Sequence, residues 1–544
     1  MKKNKFLFGL VMTVAVAFGL PTFAAELSHL GSYRAGAPNE DGGVAEIVAY
    51  NQNNQKIYLV NGLSQEIQMI SVIDIINQTA NHSVKTITKA QLEDYLDGFK
   101  IADITSIDVS SNGSQVAVVL QAENYKDNGI VMILDANGNY VAHYDVGVQP
   151  DMVKFTPDGK YVLTADEGEP RNGYIMNDEQ IAPYNLELAL KADLVDPIGS
   201  VTIIDLEKNK ISTADFTSFD SITNRAKLVE AGVIIKKGLN PSTDFEPEYI
   251  TMTDSNTAYV VLQESNSIAT LDIKTGTFTD ISSLGFKNHN EEKNKLDANK
   301  EDKKALLKTE NFYGTYMPDG IASYKVNNKT YILTANEGDG SEWGDYSNEI
   351  DIELNTTYED EGEIKSVEID GLNAKLLDGL DITKNYTFGG RSFSIYEVST
   401  DGLIQVFDSG SDFEQLTSNM EYFNTTNTAN KLDNRSDNKG PEPENVSVTQ
   451  VGDKYYAYIG LERISGIMVY DVTNPYNAFY VDYINTRNFN EDIFDKETDK
   501  PNLNMGDVSP EGIVTISAKD SPTKSPLVIT GNEVSGTVAV YEQQ

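Results

Sequence analysis

A carboxylate-bearing pattern returns along this chain from end to end, and no other feature restricts the fold as much. A hydrophobic run opens just after Glu or Asp, turns, and is followed by a second run that ends at another Glu. PEYITMTDSNTAYVVLQESNSIATLDI carries Glu248 and Glu264, and PENVSVTQVGDKYYAYIGLERISGIMVYDV carries Glu444 and Glu462. PEGIVTISAKDSPTKSPLVITGNEVSGTVAVYE carries Glu511 and Glu533. PDGIASYKVNNKTYILTANEGDGS uses Asp319 and Glu337, and PDMVKFTPDGKYVLTADEGEP uses Asp151 and Glu167. Weaker copies lie around Glu46 to Glu66 and Ser106 to Glu123, which makes seven units.

Each unit reads as two β-branched or aromatic runs separated by Asn, Asp or Gly turn residues, with a third run after them. Short-stranded sheets repeated around an axis are the signature of a β-propeller. In such a blade the first strand is innermost and the second returns antiparallel, so the start of one lies beside the end of the other. Glu248 and Glu264, 16 positions apart, are therefore expected together at one mouth of a central channel. Spacings of 16, 18, 18 and 22 in the other four clear units repeat that arrangement with hairpins of different length. The predicted fold is all-β, a seven-bladed propeller forming a single domain over residues 25–544.

The 544 residues give about 75 per unit against roughly 40–50 in common propeller repeats, so several blades carry insertions. Polar stretches of low periodicity place these near 171–196, 287–313, 341–388 and 409–440. The segment NHNEEKNKLDANKEDKKALLKTEN reads as a charged helix or mobile loop on the rim. The last unit supplies three strands, and HLGSYRAG from His29 is expected to add the missing outer strand. That would join both ends of the chain in one blade and hide sheet edges.

Residues 1–24 read as a secretory signal peptide. Lys2, Lys3 and Lys5 precede an apolar run from Phe6 to Leu20, and Ala24 and Ala25 offer a cleavage site. No other apolar span is long enough to cross a bilayer. With no Cys in the chain, disulfides and a lipidated thiol are excluded. The expected product is exported, secreted or periplasmic, and monomeric. Its 83 acidic against 43 basic residues give a net charge of −40. Nucleic acid, anionic membrane surfaces and heparin-like polymers are poor partners for such a chain, whereas cations and mineral surfaces are good ones.

Acids that recur at equivalent positions repel one another unless cations neutralise them. Oxygen donors without thiol or imidazole favour calcium, with magnesium and manganese next. His29, His82, His143 and His289 lie in unrelated contexts, which argues against a zinc centre. The candidate metal ligands are Glu167, Glu248, Glu264, Glu337, Glu444, Glu462, Glu511, Glu533, Asp151 and Asp319. Glu169, Glu246 and Asp339 double the acids in the EGE, EPE and EGD motifs. The structural alternative is that each Glu caps amides of the neighbouring blade and recurs because the fold recurs. Arg171, Arg391 and Arg463 are candidate substrate-binding forks for phosphate or sulfate, or else ion-pair partners of local acids. Ser392, Ser465 and Ser535 have no His–Asp set to activate them. DANGNY from Asp135 has Tyr140 where a calcium-binding EF-hand loop needs Gly, and reads as a hairpin turn.

The motifs ADEGEP, PSTDFEPEYI, LTANEGDGSEWG, FGGRSFSIYE, PEPENV, GLERISGIMVYD and GNEVSGTVAVYE resemble the choice-of-anchor I family. The resemblance runs from about Leu30 to Glu542. It implies a seven-bladed, YVTN-like propeller on exported proteins with varied surface attachment, often labelled alkaline phosphatase-like. This chain departs in having no recognisable C-terminal anchor motif. The function this implies is a calcium-dependent phosphoesterase acting on a small phosphate ester through an acid-lined channel. It departs from calcium–iron alkaline phosphatases in lacking any cysteine. Two alternatives stay open. One is a non-catalytic calcium-binding propeller at a cell surface, with a matrix or mineral component as partner. The other is a lactonase-like hydrolase using Asn266, Asn336, Asn445 and Asn532 beside the acids.

Overall fold

In a computed structural model of the chain, residues 26–79, 82–170, 196–343, 346–360, 362–494 and 500–544 are described. Residues 1–24, read above as a signal peptide, Arg171 and nearly all of the 171–196 insertion lie outside them. The described chain is all-β and propeller-like. Among the described residues it holds seven four-stranded sheets, numbered I to VII by the position of their first strands. These first strands are Val48–Asn51, Ile101–Val109, Pro150–Phe155, Pro247–Thr251, Ile321–Val326, Pro443–Val451 and Pro510–Ile516.

Within each sheet the strands pair antiparallel, most of them joined by short turns that return the chain directly. Asn327 and Asn328 both adopt left-handed φ (52° and 62°) between the paired Val326 and Lys329, the conformation a two-residue hairpin turn requires. Sheet V is interrupted. Its third strand, Ser392–Ser399, arrives only after a long excursion that follows Lys329–Asn336. In sheet VII the chain supplies three strands, and the fourth is Leu27–Arg34, paired from Leu27↔Gln543 to Arg34↔Thr537.

The sheets stack face to face. Alternating side chains supply apolar clusters between I and II, II and III, III and IV, and IV and V. Further clusters lie between V and VI, VI and VII, and VII and I. Each fully buried Val, Leu or Ile in them contributes about 1.5–3 kcal/mol. The first strand of each sheet also lies against the first strand of the next, and that of VII against that of I.

Of the two readings of the 287–313 segment, charged helix or loop, the helix does not form. It forms one three-residue 3-10 turn, Glu292–Asn294, flanked by strands Phe286–Asn288 and Tyr313–Thr315. Three buried apolar residues, Leu296, Ala298 and Phe312, pack against Ile352 and Ile369, and these anchors outweigh the charge run. The two strands join Glu349–Asp360, Glu363–Leu372 and Tyr386–Thr387 in a five-stranded sheet. Segments 287–313 and 341–388 thus build one unit together. The 409–440 segment carries a short helix, Asp412–Thr417.

Candidate metal centre

Five first strands are entered through a residue–Pro–acid sequence, and the ladder there is irregular in a recurrent way. Pro150, Pro247, Pro443 and Pro510 pair with Asp166, Leu262, Leu461 and Asn532 at the end of the second strand. The register then shifts across Asp151, Glu248, Glu444 and Glu511. Proline at a strand's first position removes no ladder hydrogen bond that a central residue would need. The bulge after it leaves the acid unpaired in the ladder and re-aims its side chain.

The residue before the proline has a second role. Gln149, Met317, Glu442 and Ser509 hold left-handed φ of 49°, 38°, 48° and 67°. Their carbonyls accept the amides of Glu167 (3.0 Å), Gly338 (2.9 Å), Glu462 (2.8 Å) and Glu533 (2.9 Å). These bonds draw the acid after the second strand beside the acid of the first. Neighbouring sheets are tied at the same level. The Gly320 amide donates to the Glu444 carbonyl (2.9 Å) and the Gly512 amide to that of Glu46 (3.1 Å). A Cβ at Gly320 would stand 2.6 Å from the Asn445 Cα, so only glycine allows this approach.

The acids meet in two adjoining cavities. One, of about 210 Å³, is lined by Glu46, Asp151, Glu167, Glu248, Asp319 and Glu511, with Met152 and Tyr249 beneath. Tyr249 and Met152 also border a separate cavity of about 370 Å³ among the first strands, so they divide the space between the sheets. The second acid cavity, about 260 Å³, is lined by Glu167, Glu169, Glu246, Glu248, Glu264 and Asp339, with Trp343. Carboxylate oxygens of Asp319, Glu444 and Glu511 all lie within 4.8 Å of one another, as do those of Glu337, Glu444 and Glu462. Glu444 belongs to both triads.

Burial, reinforced by like charge, pushes the carboxyls of Glu167, Glu248, Asp319, Glu444 and Glu511 well above the ordinary range. Glu46 rises to about 8 for the same reasons. Glu248 Oε2, Asp319 Oδ2 and Glu444 Oε2 are buried without a hydrogen-bond partner, an arrangement that is costly for groups of this kind.

The Glu337–Glu462 side is balanced differently. Lys439 Nζ pairs with Glu337 and stands 3.4 Å from Glu442 and 3.8 Å from Asp339. Arg463 pairs with Glu442 (2.8 Å) and Glu462 (3.1 Å), and Arg435 also pairs with Glu442. Although burial opposes ionisation of Glu442, the three cations outweigh it and hold this carboxyl far below its usual range. Lys236, buried between Asp244 (3.1 Å) and Glu246 (3.2 Å), supplies a fixed cation beside the second cavity.

The structure thus brings all ten candidate acids to one region, in unequal settings. Glu533 accepts the Gly43 amide and the Ser509 hydroxyl, both at 3.2 Å, a capping role. Arg463 sits among the acids. Arg391 does not, for its guanidinium donates to the carbonyls of Asp297, Ser436 and Asn438 and to Glu414. Asn336 and Asn532 bind hydroxyls within their own sheets, and Asn266 bonds Gly285 and Met317. Asn445 faces the cavity beneath Tyr249. Ser392 and Ser535 bond within their sheets, and Ser465 accepts the Ser509 amide. His289 is buried against the Asn294 carbonyl, and His143 bonds Tyr140.

Sequence reasoning missed Glu442, Lys439 and Arg435. Glu442 had a visible signal, since it precedes Pro443 as Glu246 precedes Pro247. Lys439 had none, because its partner Glu337 is 102 positions away.

The chain is similar to several known proteins. Gigasin-3a of Magallana gigas is 28% identical over 180 residues, covering 31% of this chain and 60% of that protein. Among solved structures, Kuenenia stuttgartiensis hydrazine synthase aligns with a TM-score of 0.45 and 11% identity, over 93% of this chain and 97% of that one. A streptogramin B lyase structure gives 0.43 and 10%, over 94% and 98%. The β-propeller domain of Myceliophteria thermophila Cps50 (Swd1) gives 0.44 and 8%, over 94% and 99%. No helix among the described residues is long and apolar enough to cross a membrane. The choice-of-anchor I domain model matches residues 46–475, and the chain belongs to the choice-of-anchor I family.

Proposed function

We propose that this chain is an exported, cell-surface or periplasmic, seven-bladed propeller that holds a divalent cation, calcium first, at one mouth of its central channel. The ring reading is supported by the apolar clusters between successive sheets, including VII with I, and by Leu27–Arg34 completing the last sheet. The observation that carries the cation reading is the Asp319–Glu444–Glu511 triad. Three carboxylates converge within 4.8 Å. Two of them have a buried oxygen without a partner, and no ion pair reaches any of the three among the described residues. An all-carboxylate donor set suits calcium, and magnesium or manganese next. Bound there, the ion would supply the positive charge that the chain itself does not.

Holding the ion is better supported than phosphate-ester hydrolysis. A phosphoesterase needs donors free to clamp the ester, and the forks of Arg391 and Arg463 are already engaged by the protein's own oxygens. The deciding experiment strips the mature protein of metal and titrates calcium by calorimetry, with an aryl phosphate assay run on the same samples. Calcium binding that is lost in Asp319→Asn/Glu511→Gln supports the site. Calcium-dependent turnover lost in the same variant would restore the hydrolase reading, and absence of binding would sink both.

A further inference from the structure

Glu444 shares one triad with Asp319 and Glu511 and another with Glu337 and Glu462. Two carboxylate triads that meet at a common residue have the layout of a paired cation site. The second triad, however, already has positive charge beside it. Lys439 Nζ contacts Glu337 and lies 3.4 Å from Glu442, and Arg463 lies 3.1 Å from the Glu462 carboxylate. The lysine side chain is 15% exposed, while Glu442 is fully buried, so the ammonium is enclosed rather than draped over a surface.

We propose that Lys439 is a resident cation standing in for a metal ion, so that its ammonium keeps the Glu337–Glu444–Glu462 position closed to calcium. The proposal rests on the cation reading of the neighbouring triad. An ammonium is a compact point charge with three donors, which suits it to a pocket of acids. Lys439 can be released from this role by substitution, because it comes from the connecting segment before Pro443 and not from a strand. Removing it leaves Glu337, Glu444 and Glu462 converging, with Arg463 on Glu462 to offset them. A hard divalent cation is the natural replacement for the charge that is lost.

The test counts calcium ions per chain by equilibrium dialysis of the metal-stripped mature protein, for wild type, Lys439→Met, Lys439→Arg and Lys439→Met/Glu462→Gln. Lys439→Met is expected to bind one ion more than wild type. Lys439→Arg and the double variant are expected to match wild type. An unchanged count in a folded Lys439→Met protein overturns the proposal. If Lys439→Met folds only when calcium is supplied, that rescue supports it, and failure to fold at any calcium concentration overturns it. A wild type that binds no calcium would instead remove the cation reading itself, an outcome distinct from an unchanged count.

Discussion

The two sides of the acid site are both built from carboxylates set where repeated strands begin and end, yet they settle their charge in opposite ways. Around Glu442, three side chains of opposite sign close an ion-pair network. Around Asp319, Glu444 and Glu511 the acids face one another, and burial with like charge pushes their carboxyls well above the ordinary range. The first arrangement is self-sufficient, whereas the second needs protons or an external cation. Recurrence of a residue in a repeat therefore fixes where a carboxylate stands without fixing what neutralises it, and only the unbalanced side has reason to take a ligand.

The sharpest way to break this contrast is to neutralise one acid on each side. Glu442→Gln strands Lys439, Arg463 and Arg435 around a neutral amide, and loss of one partner from a buried network costs about 3–5 kcal/mol. Chemical denaturation should register that loss with or without calcium. The next effect in size is calcium itself. A ligand that binds only the folded state adds about 2.7 kcal/mol at a hundredfold excess over Kd. The metal-free protein should gain this in a thermal melt, and Glu444→Gln should gain almost none of it.

The pH response sharpens the comparison further. Glu46 titrates near 8 in the folded chain, and Glu246, raised by burial, near 7. Both lie above the ordinary carboxylate value of 4.5, so between those limits the folded state binds more protons than the unfolded one. Metal-free stability should therefore be highest near pH 5 and fall as pH rises towards 8. Glu442, with its carboxyl depressed, behaves in reverse. Its contribution is present above pH 4.5 and fades only as pH falls below that value. Calcium should flatten the upper limb, because it replaces the protons. In the metal-free protein at pH 8, Glu511→Gln should stabilise, because it takes a like charge away from Glu444, by about 1 kcal/mol, the usual size of a single-substitution effect. Loss of stability there would mean that Glu511 is already satisfied.

Much of the arrangement was legible because strands have a period of two and turns have characteristic residues. Those regularities place Glu248 beside Glu264 and Glu444 beside Glu462 without any coordinates. They do not encode the ladder shift that turns Glu444 away from its strand, which depends on the left-handed Glu442 two positions earlier. Nor do they reveal partners from distant segments, such as Lys439 for Glu337 or Asp297 for Arg391. The helix reading of the 287–313 segment failed for a related reason. Its charges dominate the composition, but Leu296, Ala298 and Phe312 decide its conformation by finding a surface supplied by Ile352 and Ile369.

The smallest expected effect concerns sheets I and II, where the repeat is weakest. Glu66 opens the third strand of sheet I and accepts from Gln68 Nε2 (2.7 Å), so it is not the counterpart of Glu264. Asn61 ends the second strand there and Gly62 follows it. In sheet II the corresponding place is taken by Gln121, whose amide donates to the Pro150 carbonyl (3.3 Å). Glu123 lies beyond it, exposed, with its backbone amide bonded to the Lys100 carbonyl. Glu66→Gln and Glu123→Gln should each change stability by less than about 0.5 kcal/mol and leave the calcium isotherm unmoved. A weakened isotherm in either variant would extend the unbalanced side of the site into sheets I and II, and the cation would then be held by charge from more of the ring than the Asp319–Glu444–Glu511 triad.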